Sequence, residues 1–502
     1  MSTGLLSVPR PRPPAPPGPT AEYVDADTLR TTFALAMSAM YKSEVPLYGD
    51  LIRIVQQVNQ EAQARKVHGL EGSATMDASV ERLTLERHGA IRLGTPRELR
   101  TVRRIFALLG MRAVGYYDLS IAGLPMHATC FRPTSRESLE RNPFRVFTTL
   151  LRPELLKSGR ARAVALELLE RRNIFTDALV DILDTAEQTQ GGRLTSSQAQ
   201  RFVVEALRTF GWQPLAVATH DEYSLLRAEH PILTDIACFR SSHINHLTPR
   251  ALDIAAAQRA MIAAGMAVKS RIEGPPPRRC PILLRQTSFL ALREGIRFVG
   301  VDGFVDGFHK ARFGEIEERG AAVTAAGRRL YDDLLEEAMA AARGFGDPGA
   351  VDAVLEETFE RFPDNWAELR RRGLVYSEYR CTKDARNKLS GLSDVSILNP
   401  RALLDRLISE GILEALPITY EDFLPFSAAG IFQSNLQSGS GPGDSAMDGG
   451  GEPAKPDLEG YERALRCRVV DSNDLYAQAE QHSLERCAEE LGISFREFSR
   501  FL

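Results

Sequence analysis

Two histidines, His88 and His246, each stand beside one copy of a repeated pattern. One copy reads His88-Gly-Ala-Ile-Arg92-Leu-Gly-Thr95-Pro96-Arg97-Glu98-Leu99 and, after a helical run, ends in Gly110-Met111-Arg-Ala-Val. The other reads His246-Leu-Thr248-Pro249-Arg250-Ala251-Leu252 and, after a second helical run, ends in Gly265-Met266-Ala-Val. The shared start and finish predict duplicated structural modules. Two modules related by a pseudo-twofold axis turn His88 and His246 toward one another, as two ligands of one metal ion would be.

The elements that must position these residues follow from local patterning. Thr95 with Glu98 three residues on predicts a helix start with a capping box, and Pro96 fits the first helical position; Thr248 and Pro249 repeat that start without the Glu. Alternating runs flank each helix and predict strands: residues 81–88, 113–119 and 125–131 in the first unit, then 281–289, 296–301 and 312–317 in the second. Each unit reads strand, helix, strand, strand, strand. Apolar spacing predicts helices over 27–64, capped by Asp27 and broken at Pro46, and again over 331–415 apart from one extended stretch, Leu374 to Cys381. The fold class is α+β. The expected organisation is a Pro-rich disordered tail over 1–20, helices and a first module over 21–160, a helical connection with strands over 161–240, and a second module over 241–330. A helical region with a loop over 331–437, a Gly/Ser-rich linker over 438–456 and a C-terminal helical segment over 457–502 complete it.

Composition narrows the function classes. A chain of 502 residues is long enough for two or three cores, and 62 basic against 66 acidic residues leave no excess of positive charge for nucleic acid or an anionic membrane. Six cysteines without a Cys-x-x-Cys pair argue for reduced thiols rather than a disulfide framework or zinc knuckle. No apolar run reaches the roughly 18 residues of a membrane span, and no signal-like N-terminus is present, so a cytoplasmic protein is expected. Oligomeric state is not legible.

A strand-helix-strand-strand-strand unit, doubled so that curved sheets enclose a cavity, resembles the vicinal oxygen chelate superfamily, which binds a divalent metal inside that cavity. The resemblance implies ligands on the first and last strands of a module: His88 and His246 on first strands, and Glu315 in Arg312-Phe-Gly-Glu315-Ile-Glu317 on a last strand. The matching stretch of the first module, Phe144-Arg-Val-Phe-Thr148-Thr149-Leu-Leu, offers no carboxylate or imidazole. Two His and one carboxylate form the facial set that leaves three positions open on Fe(II).

A closer resemblance covers nearly the whole chain. Glu86-Arg-His88-Gly-Ala-Ile-Arg92, Gly115-Tyr-Tyr-Asp-Leu, His243-Ile-Asn-His246-Leu-Thr-Pro-Arg, Leu283-Leu-Arg-Gln-Thr-Ser-Phe, Arg312-Phe-Gly-Glu315-Ile-Glu and Tyr420-Glu-Asp-Phe-Leu-Pro-Phe426-Ser427 together resemble the 2-oxoadipate dioxygenase/decarboxylase (hydroxyglutarate synthase) family. What this implies is an Fe(II) enzyme of lysine catabolism that converts 2-oxoadipate and O2 to (R)-2-hydroxyglutarate and CO2, decarboxylating and hydroxylating one molecule. By position, His88, His246 and Glu315 match the family's metal ligands, and Arg92 with Phe426 and Ser427 its substrate contacts; Phe426 stands where a smaller apolar residue is expected. Arg92 lies four residues beyond His88, so on a strand both face one side about 13 Å apart at roughly 3.3 Å per residue. That offset suits a guanidinium reaching the far carboxylate of a six-carbon diacid.

Periodicity alone leaves alternatives open. His243 competes with His246, and on a strand the two face opposite sides; Glu317 shares a face with Glu315, and only the resemblance separates them. Arg285 and Gln286 either line the cavity or satisfy buried carbonyls. His127 and His220 read as structural, and Tyr116 and Tyr117 as core residues of which one hydroxyl could reach the cavity. No side chain is assigned as a separate acid or base. Two other classes compete with the dioxygenase: a redox-neutral metal-dependent lyase, isomerase or hydrolase of the same fold, and a non-catalytic protein that binds a small acid.

Overall fold

The computed structural model of the chain describes residues 22–67, 80–390, 400–424 and 455–492. The Pro-rich tail and the linker expected over 438–456 lie outside them, apart from residues 455 and 456. Asp25 accepts the Thr28 N–H and starts α1 (Ala26–Glu44), and Pro46 opens α2 (Pro46–Val67). The cap is thus Asp25 rather than Asp27, which sits in the first turn and pairs with Arg30 at 2.8 Å. A short helix, α3 (Val80–Leu85), precedes β1 (Arg87–Leu93), so the run expected to be extended from residue 81 becomes so only at Arg87. Arg82 and Glu86, four residues apart with their charged groups 3.4 Å from one another, suit a helical turn better than the alternation suits a strand.

The first module continues through α4 (Pro96–Leu108), β2 (Arg112–Asp118), β3 (Met126–Arg132), α5 (Arg136–Arg141) and β4 (Arg145–Leu151). Thr95 caps α4 by accepting the Glu98 N–H, but the Glu98 carboxylate takes the Gly94 N–H at 2.8 Å and Arg172 at 2.7 Å, leaving the capping box half made. β1 runs parallel to β4, β4 antiparallel to β3, and β3 antiparallel to β2. β1, β3 and β4 are buried along their whole length, as strands covered on both faces must be.

A connection of α6 (Gly159–Arg171), α7 (Asp177–Thr189), α8 (Ser196–Phe210), β5 (Leu215–Thr219), α9 (His220–Glu229) and α10 (Pro231–Ala237) leads to the second module. This comprises β6 (Leu247–Pro249), α11 (Ile254–Ala263), β7 (Leu284–Ser288) and β10 (Glu315–Arg319), with β8 (Arg293–Gly300) and β9 (Gly303–Lys310) lying between the last two in sequence. Thr248 and Pro249 belong to a strand, not a helix start, and α11 is capped by Asp253. β1 pairs antiparallel with β6, β6 meets β10 through a parallel bridge between Arg250 and Glu317, and β10 pairs antiparallel with β7. Bridges from Val268 to Phe289 and Glu273 to Gln286 stand where the second strand of the module would be. The duplication therefore holds, with the pseudo-twofold between β1 and β6. Its shared glycine has a backbone reason: Gly110 and Gly265, with φ of 68° and 80°, end the two module helices in the left-handed region.

The strand expected over 296–301 lies outside this module. β8 and β9 form a hairpin inserted between β7 and β10, which builds a separate three-stranded sheet with β5. Its alternation is real, but Ile296 and Phe298 are buried against α9 while Val299 and Val301 face outward. Beyond β10 follow α12 (Ala325–Ala341), α13 (Pro348–Phe359), α14 (Trp366–Arg371), β11 (Ser377–Cys381), α15 (Ala385–Ser390), α16 (Pro400–Ser409), β12 (Leu413–Pro417), α17 (Leu458–Leu465) and α18 (Ser472–Leu491). All six cysteines are free, and no helix among the described residues is long and apolar enough to cross a membrane.

Candidate metal centre

β1 delivers His88, β10 delivers Glu315, and His246 stands immediately before β6. One ligand atom of each lies within 4.8 Å of the others, and all three residues are buried. His88 Nε2 is 2.9 Å and His246 Nε2 3.8 Å from Glu315 Oε1, with the imidazole rings nearly perpendicular and their centroids 5.5 Å apart. The antiparallel β1–β6 seam, with His88 opposite Thr248, brings the two modules' histidines together. Thr248 Oγ1 and Gln286 Nε2 donate to Glu315 Oε1 at 3.0 and 3.1 Å, while Glu315 Oε2 and His246 Nδ1 have no hydrogen-bond partner.

Burial pushes His246 down to about 4, leaving a neutral ring with a lone pair to give. Burial works to raise the Glu315 carboxyl, but His246 and His88 outweigh it and hold the group below the ordinary carboxylate range. A buried carboxylate oxygen without a partner is costly. Beside two imidazoles it forms a donor set that fits a divalent cation, and the two-His-one-carboxylate combination is that of non-haem Fe(II) sites.

Glu317 shares the face of Glu315 but is committed elsewhere. It is ion-paired with Arg145, lies 2.6 Å from Arg319 Nε, accepts from Gln286 at 3.2 Å, and stands 3.6 Å from His88 Nδ1. Burial would raise its carboxyl, yet Arg145, His88 and Arg319 hold it well below the usual range. Arg145 Nη2 lies 3.4 Å from the same nitrogen, so the Arg145–Glu317 pair stands behind the second nitrogen of the imidazole, the place from which neighbouring groups orient a ligand ring. From here a charged layer extends inward. Arg319 also pairs with Glu86 at 3.0 Å and with Glu421; Arg132 grips the Asp422 carboxylate at 2.7 and 2.9 Å; and Arg145 donates to the Asp422 carbonyl at 3.0 Å. These bonds pin residues 421 and 422. Phe423 is thereby held with its ring centroid 5.0 Å from that of His88 and 4.4 Å from the Arg145 guanidinium, and its N–H donates to the Tyr117 hydroxyl at 3.2 Å.

The profile of the 2-oxoadipate dioxygenase/decarboxylase family matches residues 33–435. The chain belongs to this family. A 2-oxoadipate dioxygenase/decarboxylase of Pseudomonas putida is 45% identical over 478 residues, which span 95% of this chain and 99% of the relative. Its namesake in Escherichia coli strain K12 is 46% identical over 468 residues, 93% of this chain and 99% of that one. The crystal structure of the hydroxyglutarate synthase from Pseudomonas putida in complex with 2-oxoadipate matches with a TM-score of 0.81 at 42% identity, covering 94% of this chain and 99% of that chain. Membership of the 2-oxoadipate dioxygenase/decarboxylase family makes this chain an enzyme.

The expected residues separate clearly in the structure. His88, His246 and Glu315 converge; His243 instead lies 2.7 Å from Asp235 in a second buried group with His309. Arg92 is buried on β1, ion-paired with Asp235. Gln286 contacts Glu315 and Glu317, whereas its neighbour Arg285 points to the opposite face of β7 and pairs with Glu318 at 3.4 Å, because successive strand residues alternate. Phe426 and Ser427 lie outside the described residues. His127, lowered to about 4 by burial, packs against Tyr116 and Tyr461. Sequence reasoning missed Thr248, Glu317 in its orienting place, Arg145 and Phe423. Arg145 had a signal, as the one charged residue in the otherwise uncharged run Arg145-Val-Phe-Thr-Thr-Leu-Leu. Phe423 had none beyond its place in the 420–427 string.

Proposed function

We propose that the protein is an Fe(II)-dependent dioxygenase that converts 2-oxoadipate and O2 to (R)-2-hydroxyglutarate and CO2, serving lysine catabolism in the cytoplasm. The observation that carries this reading is the buried His88, His246 and Glu315 cluster with its unpartnered carboxylate oxygen, in a chain related to a synthase that binds 2-oxoadipate. Fe(II) held by these three residues would supply open positions for a 2-oxo acid and O2, and the redox chemistry that joins them.

The protein's own groups do the rest. Glu317 orients His88, and Phe423 with the charged layer behind it keeps water from that side of the cluster. Arg92 offers donors to the far carboxylate, and Phe426 with Ser427 supplies the remaining substrate contacts. The reaction balances without a co-substrate: the carboxyl next to the keto group leaves as CO2, the keto carbon becomes a carboxylate, and the adjacent carbon gains a hydroxyl, together consuming one O2. Oxygen uptake by the Fe(II)-loaded protein with 2-oxoadipate, beside 2-oxoglutarate, tests the proposal. Equal amounts of O2 consumed, CO2 released and 2-hydroxyglutarate formed are expected, and His88→Ala should abolish both metal content and turnover. Bound metal with no oxygen uptake would overturn it.

A further inference from the structure

We infer that Asp235 is a positioning residue for diacid recognition: it fixes the Arg92 guanidinium, and so sets the length of 2-oxo diacid that fits between Arg92 and the His88 cluster. This rests on the reading of Arg92 as the partner of the far carboxylate. The side chains of Arg92 and Asp235 are each 2% exposed and ion-paired across the contact of β1 with α10. Asp235 is itself held from several elements. Its Oδ2 meets Arg92 and also accepts from Asn245 Nδ2 at 3.1 Å, while its Oδ1 faces His243 Nε2 at 2.7 Å and His309 Nε2 at 3.3 Å. The Tyr223 hydroxyl lies 3.0 Å from His309 Nδ1, so the network assigns the His309 proton to Nε2, toward Asp235. Trp212 stacks on His309 with centroids 5.9 Å apart and meets His243 edge-on at 4.7 Å, fixing both rings.

Asp235, His243 and His309 have a spacing that would suit a metal, but both Asp235 oxygens already meet donors and the Arg92 cation adjoins them. A second cation there would be repelled. What the group can do is hold Arg92. The inserted β8–β9 hairpin brings His309 to Asp235 from outside the module, so its buried end buttresses Asp235 behind Arg92. An arginine fixed before substrate arrives needs no ordering on binding, and its distance from the metal ligands is set by the protein rather than by the ligand. A rigid anchor of this kind rejects a diacid one methylene too short, whereas a released arginine follows the shorter chain inward.

Calorimetric binding of 2-oxoadipate and 2-oxoglutarate to the Fe(II)-loaded protein under anaerobic conditions tests this, with metal content measured on the same samples. Asp235→Asn keeps the shape and removes the charge. It is expected to weaken 2-oxoadipate binding about 10-fold and to narrow the preference over 2-oxoglutarate by a similar factor, since one methylene is worth roughly 10- to 200-fold. In turnover, KM should move more than kcat. If Asp235→Asn fails to fold, His309→Gln loosens Asp235 without touching Arg92 and should narrow the preference in the same sense by a smaller factor. Equal losses for both diacids, or an unchanged preference, overturn the inference. Arg92→Ala separates the two readings: unchanged 2-oxoadipate affinity in that variant removes the role of Arg92 itself, whereas weakened binding there with an unchanged preference in the Asp235 variant removes only the role of Asp235.

Discussion

Replacing Glu317 with Gln preserves volume and removes one buried charge. The carboxylate is 1% exposed, ion-paired with Arg145, 2.6 Å from Arg319 Nε and 3.6 Å from His88 Nδ1. The two guanidiniums do not lose equally. Arg319 keeps Glu86 at 3.0 Å and Glu421, whereas Arg145 is left with the Asp422 carbonyl, the Phe423 ring and His88 Nδ1 at 3.4 Å, none of which is an anion. One stranded cation places the cost at the lower end of the ~3–5 kcal/mol found when a buried pair is broken, hence about 3 kcal/mol. Adding Arg145→Met removes the stranded charge and should recover at least ~1 kcal/mol, a non-additivity characteristic of contacting residues. Loss of the group behind His88 should also weaken metal binding ~10- to 100-fold. Urea unfolding of the metal-free single and double variants, with competitive metal titration, measures both effects. A Glu317→Gln variant within about 0.5 kcal/mol of the parent, or strictly additive variants, would refute the reasoning, since values that small are typical of surface substitutions.

Three further outcomes are expected. A Cβ at Gly89 would lie 3.0 Å from the His246 carbonyl and overlap the Ile244 side chain, so Gly89→Ala should cost ~1–3 kcal/mol and weaken metal binding, with Ile244→Ala partly restoring both; metal titration of the pair checks this. Burial raises Glu480 to about 7 although it accepts the Ser377 N–H at 2.7 Å. Because the folded value lies above the unfolded one, its contribution to stability is full below about pH 4.5 and is lost as pH rises through about 7; Glu480→Gln should therefore be roughly 2–3 kcal/mol more stable than the parent at pH 8 and no more stable at pH 4, as denaturation at the two pH values would reveal. Phe423→Ala removes a ring packed on His88, Arg145 and Phe147 and should destabilise the fold by ~3–5 kcal/mol while raising KM for 2-oxoadipate, read from denaturation and steady-state kinetics.

Local chemistry and repetition are what the sequence makes legible. The paired Gly-Met endings report two helix ends that need a left-handed residue, and the duplication reports a pseudo-twofold seam at which His88 and His246 can face one another, while the choice of His246 over His243 rests on motif position. Glu315 and Glu317 could not be separated by periodicity, because what distinguishes them is a distant cation: Arg145 comes from a strand 172 positions away. The β8–β9 insertion was hidden for a related reason. Its alternation is that of a genuine strand, and nothing local says which sheet a strand will join. Asp235 was silent because its importance lies in four side chains that approach it from three separate parts of the chain.

The seam between β1 and β6 also sets a timetable. His88 and Glu315 are 227 positions apart, so at roughly 5–20 residues per second a ribosome takes on the order of ten to forty seconds to make the second after the first. Until β6 has paired with β1 and β10 with β6, a nascent chain presents one imidazole and no pocket. The cluster is therefore a late product of folding, in the class of long-range contacts that form slowly. A metal ion held by the three residues would bind only once Glu315 has been made and these pairings have formed, and its binding energy would be delivered to a junction between the two modules.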